Sequence, residues 1–525
     1  MSHRLALILV GWTLVGTTCV AYGNDRQPDS SVAADRMASR IDEFLAESWQ
    51  KAGLQPTAAA TDAEFLRRAH LDLTGRIPRV SQVREYLDET GANRRPRLID
   101  SLLAKPAHVT HIATTWRRIL LPSGADLDRF DGMTAFTSWL RDRFARNVPY
   151  DVMVRELLLA EGLVGQSGPL QFYTALELKP EKLASRTSRL FLGVQIDCAQ
   201  CHDHPFEKWT QRDFWGYAAF FARVSRQQSQ RRELMLVVDN ADGEVRLPDS
   251  TDVVVPRFLA GDLALESDGR TRRQQLATWL TSSDNAYFAR ATVNRVWSHL
   301  FGRMLVDSRG DEVLRYPGGD GPLLDELAAY FVDTGFDFRQ LLRTLARTRA
   351  YQLSSGIEPG DSGDLDRIVR MATKTLTAEQ LFDCLSVATC RPQSAPDIAA
   401  ALGDSRSGDR DRQEFVARFR APAGDVTEYQ AGIPHALTLM NGRLIKDAAG
   451  LKSSGILMSL EAPFFSEEDR LDVLFLATLS RFPDESARET FLNHLTARES
   501  KIEKQQALSD ILWALLNCAE FAHNH

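Results

Sequence analysis

The sequence predicts a mainly α fold, with two helical domains joined by a small β-hairpin region. Three observations lead there. Apolar residues recur three and four apart through most of the chain, the spacing that lines one face of a helix. Capping signatures, a Thr or Ser followed three residues later by Glu, Gln or Asp, precede several of those runs, at Thr61, Thr210, Thr377 and Ser466. Runs rich in β-branched residues are confined to one stretch, Glu233 to Pro256. A chain of 525 residues is long enough for two or three cores, and its 44% hydrophobic and 25% charged residues are ordinary for globular domains.

Taken in order, the chain opens with His3 and Arg4, an apolar run from Leu5 to Val15, and small residues at Ala21-Tyr22-Gly23. Residues 1–23 therefore read as a secretory signal peptide, cleaved after Gly23. The apolar run is short for a bilayer, and no later stretch is long and apolar enough to span one. The mature chain is expected in a periplasmic or other extracytoplasmic space, with no stable membrane anchor. A net charge of -7 gives no general attraction to nucleic acid, which is not expected as a partner.

Residues 24–225 form the expected N-terminal helical domain. Its helices run over Asp35 to Trp49, from the Thr61-x-x-Glu64 box to Leu73 with a stop at Thr74-Gly75, and over Ser81 to Leu87. Arg97 to Leu103, Phe136 to Phe144, Val152 to Ala160 and Pro180 to Leu192 follow, and Thr210-x-x-Asp213 caps Phe214 to Val224. Residues 226–265 are the β-prone connector. Glu233 to Val238 and Glu244 to Leu247 are expected to pair as a hairpin around Asn240-Ala241-Asp242-Gly243, with Val253 to Val255 as a further strand.

Residues 266–525 form the second helical domain. Arg272 to Leu280, Phe288 to Phe301, Leu323 to Val332 and Phe338 to Thr348 carry helical periodicity. Thr377 caps a helix through Cys384, Ser466 caps Leu471 to Leu479, and Ala507 to Phe521 closes the chain. Tyr316 to Pro322 is a Gly- and Pro-rich turn that lacks the Lys-Ser/Thr of a phosphate-binding loop. Cys384 and Cys390 fall on one expected helix and read as small apolar packing residues.

The chemistry concentrates at Cys198-Ala199-Gln200-Cys201-His202, a C-x-x-C-H pattern of the kind that attaches haem c. Cys198 and Cys201 would form thioethers to the two vinyl groups, and His202 would be the proximal iron ligand. Export favours this reading, because c-type attachment occurs outside the cytoplasm. The same residues admit two other readings. Zinc or non-haem iron could take His202 and His204 as ligands with the two thiolates, drawing on a distant His108 or His111. Alternatively Cys198 and Cys201 could pair as a disulfide. Phe206, Trp209, Phe214, Trp215, Tyr217, Phe220 and Phe221 crowd the following segment, as a haem shell or as an aromatic helix core. There is no G-x-S-x-G and no H-E-x-x-H, so the sequence does not assign an enzymatic reaction.

The motif belongs to a longer signature. Phe191-Leu192-Gly193-Val194-Gln195, leading through the C-x-x-C-H to Lys208-Trp209-Thr210-Gln211, resembles a planctomycete-type secreted two-domain family. Leu71 to Gly75 and Pro149-Tyr150-Asp151 with Arg155 to Leu158 are similar to other parts of its N-terminal, cytochrome-associated domain of unknown function (number fifteen-forty-nine). Asn294-Arg295-Val296-Trp297, Phe301-Gly302-Arg303, Arg349 to Ser355 and Leu439-Met440-Asn441 resemble its C-terminal companion (number fifteen-fifty-three). Between Asp311 and Gly321 the chain departs from that family's Asn-Pro-Pro-rich loop. The resemblance implies an association with haem and leaves the activity unassigned. The expected function is an exported, c-type cytochrome-like haem protein in redox or electron transfer, with redox partner proteins. The alternative is an exported interaction protein whose Cys/His cluster binds a non-haem metal or forms a disulfide.

Overall fold

The computed structural model describes residues 30–122, 132–206, 208–228, 235–259, 263, 269–306, 321–356, 368–391, 410–419 and 443–525. The expected signal peptide, most of the turn from Tyr316 and the Leu439-Met440-Asn441 motif lie outside the described residues. The described chain is mainly helical, with only small antiparallel sheets.

The first half is α1 (Ser30–Ala52), α2 (Asp62–Thr74), α3 (Val80–Asp88), α4 (Arg94–Leu103), α5 (Pro106–Leu120), α6 (Gly132–Ala145), α7 (Tyr150–Leu158), α8 (Leu170–Ala175), α9 (Pro180–Thr187) and α10 (Gln211–Ala218). α2 forms because Thr61 Oγ1 accepts the Glu64 N–H at 3.2 Å, which satisfies one of the donors a helix start leaves open. The expected capping box is only half made. The Glu64 carboxylate turns instead to Arg68 at 2.7 Å and to the Ser355 N–H at 2.8 Å. Gly75 ends the helix at φ +73°, where a Cβ would also collide with the His111 ring. α5, which the periodicity reading passed over, starts with Pro106 at its first position and buries Ile112, Ala113, Trp116 and Leu120.

The second half contains α11 (Arg272–Leu280), α12 (Ala286–Phe301), α13 (Gly321–Asp333), α14 (Phe338–Arg347) and α15 (Ala378–Ala388). Beyond these come helices at Glu467–Thr478, Glu485–Thr496 and Lys501–Leu516. The capping boxes at Thr210, Thr377 and Ser466 form as expected.

The connector does not fold as a single hairpin. Strand β3 (Met235–Asp239) pairs back with β2 (Val224–Gln228) and with β1 (Gly162–Leu163), in the order β1-β3-β2. β4 (Val245–Arg246) pairs forward with β5 (Val253–Val254). Asn240, expected in the tight turn, instead extends the β2–β3 ladder by donating its N–H to Arg223 O at 2.8 Å. The expected helix to Val224 stops at Ala218, followed by a 3-10 turn and then β2. Cys390 lies past the end of α15, exposed and at φ +48°, so it does not pack as expected; Cys384 is buried.

Among the described residues two large hydrophobic cores result, with a small third cluster of Ala219, Val245 and Val254. One runs from Met37 to Met371, with Leu476 added from further on, and takes residues from both sides of the connector, α1 packing on α14 and α12 on α13. Trp116 meets Phe338 edge-on at 4.6 Å in its interior. The second runs from Leu376 to Phe521 and recruits Leu71 and Ile77 from the α2 region. The end of the chain returns to that junction, where β7 (His523–Asn524) pairs with β6 (Lys374–Thr375).

Candidate functional site

α9 continues through a π-helical turn, Ser188–Leu192, that buries Leu190, Phe191 and Leu192 and ends at Gly193 with φ +70°. α12 holds this segment from below. The Arg295 guanidinium donates to Leu190 O at 2.6 Å and Arg189 O at 3.3 Å, and Gly193 backs onto Ala291. Asn294 beside it receives the Leu305 N–H at 2.7 Å and donates to Val306 O at 2.6 Å. The Asn294-Arg295-Val296-Trp297 motif of the second half therefore braces the helix that leads to the cysteines.

After buried Ile196 the chain makes a 3-10 turn, Asp197–Gln200. The exposed Cys198 lies in this turn and the exposed Cys201 directly follows it, on either side in sequence of Gln200 and the buried Ala199. Both are free thiols. His202 is exposed, and its Nδ1 lies 2.8 Å from Asp203 O. A carbonyl only accepts, so Nδ1 carries a proton, and Nε2 is the ring nitrogen left to offer a lone pair to a metal.

The first turn of α10 clamps this loop. Gln211 donates its N–H to Asp203 Oδ1 at 2.8 Å and its side-chain amide to Cys201 O at 2.8 Å, and Trp215 Nε1 reaches Gln200 O at 3.0 Å. His204 N–H bonds Trp209 O at 2.8 Å, while its Nδ1 accepts the Phe206 N–H at 3.3 Å. These bonds explain why the signature extends to Gln211: Asp203 and His204 shape the loop. Nδ1 of His204 is committed as an acceptor, which leaves a proton on Nε2 of the neutral ring. Among the described residues no group of three or more His, Cys, Asp or Glu side chains is placed to hold a metal ion.

The more distant histidines lie elsewhere. His108 is buried on α5 with Nδ1 bonded to Leu73 O at 2.8 Å, and burial lowers its pKa to about 4. His111 is buried against His299, ring centroids 5.7 Å apart. Of the aromatic residues after the motif, Trp209, Phe214, Tyr217, Phe220 and Phe221 are buried in the first core and Trp215 packs against it. Phe206 alone among those named is fully outside, 93% exposed. The donor set thus suits covalent haem attachment, with one imidazole nitrogen free and two accessible thiols. The aromatic shell belongs to the protein core, so a haem here would sit on the surface.

The sequence reading missed a buried polar node at Asp72. Its carboxylate, only 4% exposed, accepts from Tyr351 Oη at 2.8 Å, Lys374 Nζ at 2.5 Å and Asn524 Nδ2 at 2.7 Å. Two motifs quoted for their resemblance, Leu71 to Gly75 and Arg349 to Ser355, meet here. Charged and amide residues at Asp72, Lys374 and Asn524 carried no local signal of this, since their partners lie hundreds of residues apart.

Residues 40–226 match the family described as PSCyt2, protein of unknown function DUF1549, and residues 272–401 match PSD1, protein of unknown function DUF1553. Comparison with curated proteins and with solved structures finds no significant match.

Proposed function

We propose, for a chain that belongs to the two-domain family in which PSCyt2 is followed by PSD1, that it is an exported haem protein with an electron-transfer role. The observation that carries this reading is the pairing of two free, exposed thiols on one turn with a neighbouring imidazole whose Nδ1 is tied to Asp203 O. Cys198 and Cys201 would hold the haem through thioether bonds to its two vinyl groups. His202 would serve as the iron's imidazole ligand through Nε2, because its Nδ1 is held by Asp203 O, which orients the ring. Bound haem supplies one-electron redox chemistry. The chain's own contribution is orientation by the Gln211 and Trp215 clamp and access from solvent. A surface haem beside the apolar Phe206 suits direct exchange with a redox partner protein rather than chemistry in an enclosed pocket.

The test is production in a host that exports the chain and matures haem c. A Soret band that survives denaturation is expected, and Cys198→Ala with Cys201→Ala should abolish covalent haem while export continues. A colourless exported protein, or haem still covalently bound in the double variant, refutes the reading.

A further inference from the structure

Where the two cores meet, away from the cysteine turn, α2 ends while α3 and α5 begin. Val387 at the end of α15 closes the remaining side of a cavity of about 310 Å³. Its charge is one-sided. His70, Arg76, Arg79 and Lys105 line it, and its lining contains no carboxylate. Among the described residues, no hydrogen bond or ion pair engages any of these four side chains.

His70 is the most telling of them. It is 4% exposed, sits on the cavity wall and lacks a partner for its ring nitrogens. A buried polar side chain without a partner costs free energy unless something arrives to bond it. Burial, then Lys105 and Arg76, depress its pKa to about 3. Burial and Arg76 likewise depress the Lys105 ammonium, against the opposing pull of Glu85. Positive charge is thus concentrated on a cavity wall that holds no carboxylate.

Two helix starts add to it. α3 begins at Val80 and α5 at Pro106, and the N–H groups of Ser81 and Ala107, in the first turns, have no acceptor within their helices. Backbone N–H groups, a hydroxyl at Ser81 and two guanidinium forks form the donor set that tetrahedral oxyanions select. We propose that this cavity binds a phosphate or sulfate group, free or as the monoester of a small polar molecule. The volume lies at the lower end of small-molecule pockets, which are roughly 300–1,000 Å³, and leaves room beyond the anion for a sugar-sized body.

Calorimetric titration of the exported chain at low ionic strength tests this with inorganic phosphate, inorganic sulfate, glucose 6-phosphate and glucose 6-sulfate. Saturable one-site binding of at least one is expected, weakened at least tenfold in Arg76→Gln/Arg79→Gln and unchanged in Lys51→Gln, a remote exposed cation. Tighter binding of an ester than of its inorganic ion identifies the ester as ligand; equal binding identifies the free oxyanion. Lys105→Gln repeats the test from a different element should the double variant fold poorly. No saturable binding of any of the four, or full affinity in folded Arg76→Gln/Arg79→Gln or Lys105→Gln protein, overturns the proposal.

Discussion

Lys374→Met is the sharpest probe of how the two halves are joined. The Lys374 ammonium has three protons and three acceptors: Asp72 Oδ1 at 2.5 Å, Leu300 O at 2.7 Å and His299 O at 3.2 Å. The last two are carbonyls in the final turn of α12, which has no intrahelical donors to satisfy them. Removing the ammonium strands a carboxylate that keeps only the neutral donors of Tyr351 and Asn524. Breaking a buried ion pair from one side costs about 3–5 kcal/mol, and the lost cation at the helix end adds about 0.3–1 kcal/mol. A loss of about 4 kcal/mol is expected in guanidinium unfolding followed by the fluorescence of buried Trp116 and Trp297. Asp72→Asn should fail in the opposite sense, leaving a buried cation whose pKa burial already lowers. A base held below its unfolded pKa is destabilising at low pH and relieved as pH rises, so the Asp72→Asn defect should shrink between pH 7 and pH 10. The double variant should recover more than half of the Lys374→Met loss. A single variant within 1 kcal/mol of the parent, or a double variant that sums the two losses, would refute the reasoning.

Two further outcomes follow from the same region. Gly75→Ala should lower stability by about 2–4 kcal/mol, because a left-handed residue costs an L side chain roughly 1–2 kcal/mol and overpacking against His111 costs a similar amount again; an unchanged unfolding midpoint would contradict it. Acid should unfold the protein early: burial holds His70 near pKa 3 and His108 near 4, against 6.5 unfolded, so stability falls as pH drops below 6.5. Each residue accounts for about 2.5 kcal/mol by pH ~4.5, and a flat stability profile between pH 7 and pH 4.5 would rule the pair out as the cause.

What could be read from the sequence was what neighbours in the chain decide. Thr210, Thr377 and Ser466 cap helices through residues three positions on, and Arg272 to Leu280 is a helix with the expected limits. The C-x-x-C-H turn is similarly local. The connector misled because Asn240-Ala241-Asp242-Gly243 looks like a turn, while strand choice depends on partners outside it: Val224–Gln228 out-competes Val245–Arg246 with a five-residue ladder. His204 reads as a spare ligand in the sequence, while in the fold its N–H bonds Trp209 O and the neighbouring Asp203 accepts the Gln211 N–H, closing the loop. Asp72 was legible only as part of a resemblance, since its partners lie 279, 302 and 452 residues away.

That separation bears on why the two family segments occur as a pair. α2 carries adjacent arginines, both buried, that serve different parts of the downstream chain. Arg67 donates to Thr478 O at 2.8 Å and to Glu520 O and Phe521 O at 3.1 Å, while Arg68 donates to Tyr351 O at 2.7 Å and Leu353 O at 2.8 Å. Those carbonyls lie at chain turns and helix ends, where no backbone donor is available, and a buried unpaired carbonyl is costly. Arginine suits the task because one planar group carries five donors and stays charged at any physiological pH. The first core takes α11 to α14 from beyond the connector, and the segment leading to Cys198 is fastened by Arg295 from the same region. The cysteine turn takes its shape from residues 196–215 but its footing from α12. A first segment made without the second would carry the C-x-x-C-H motif with neither a closed core nor a braced helix beneath it. The redox reading thus needs both segments even though the proposed haem-bearing residues all lie in the first.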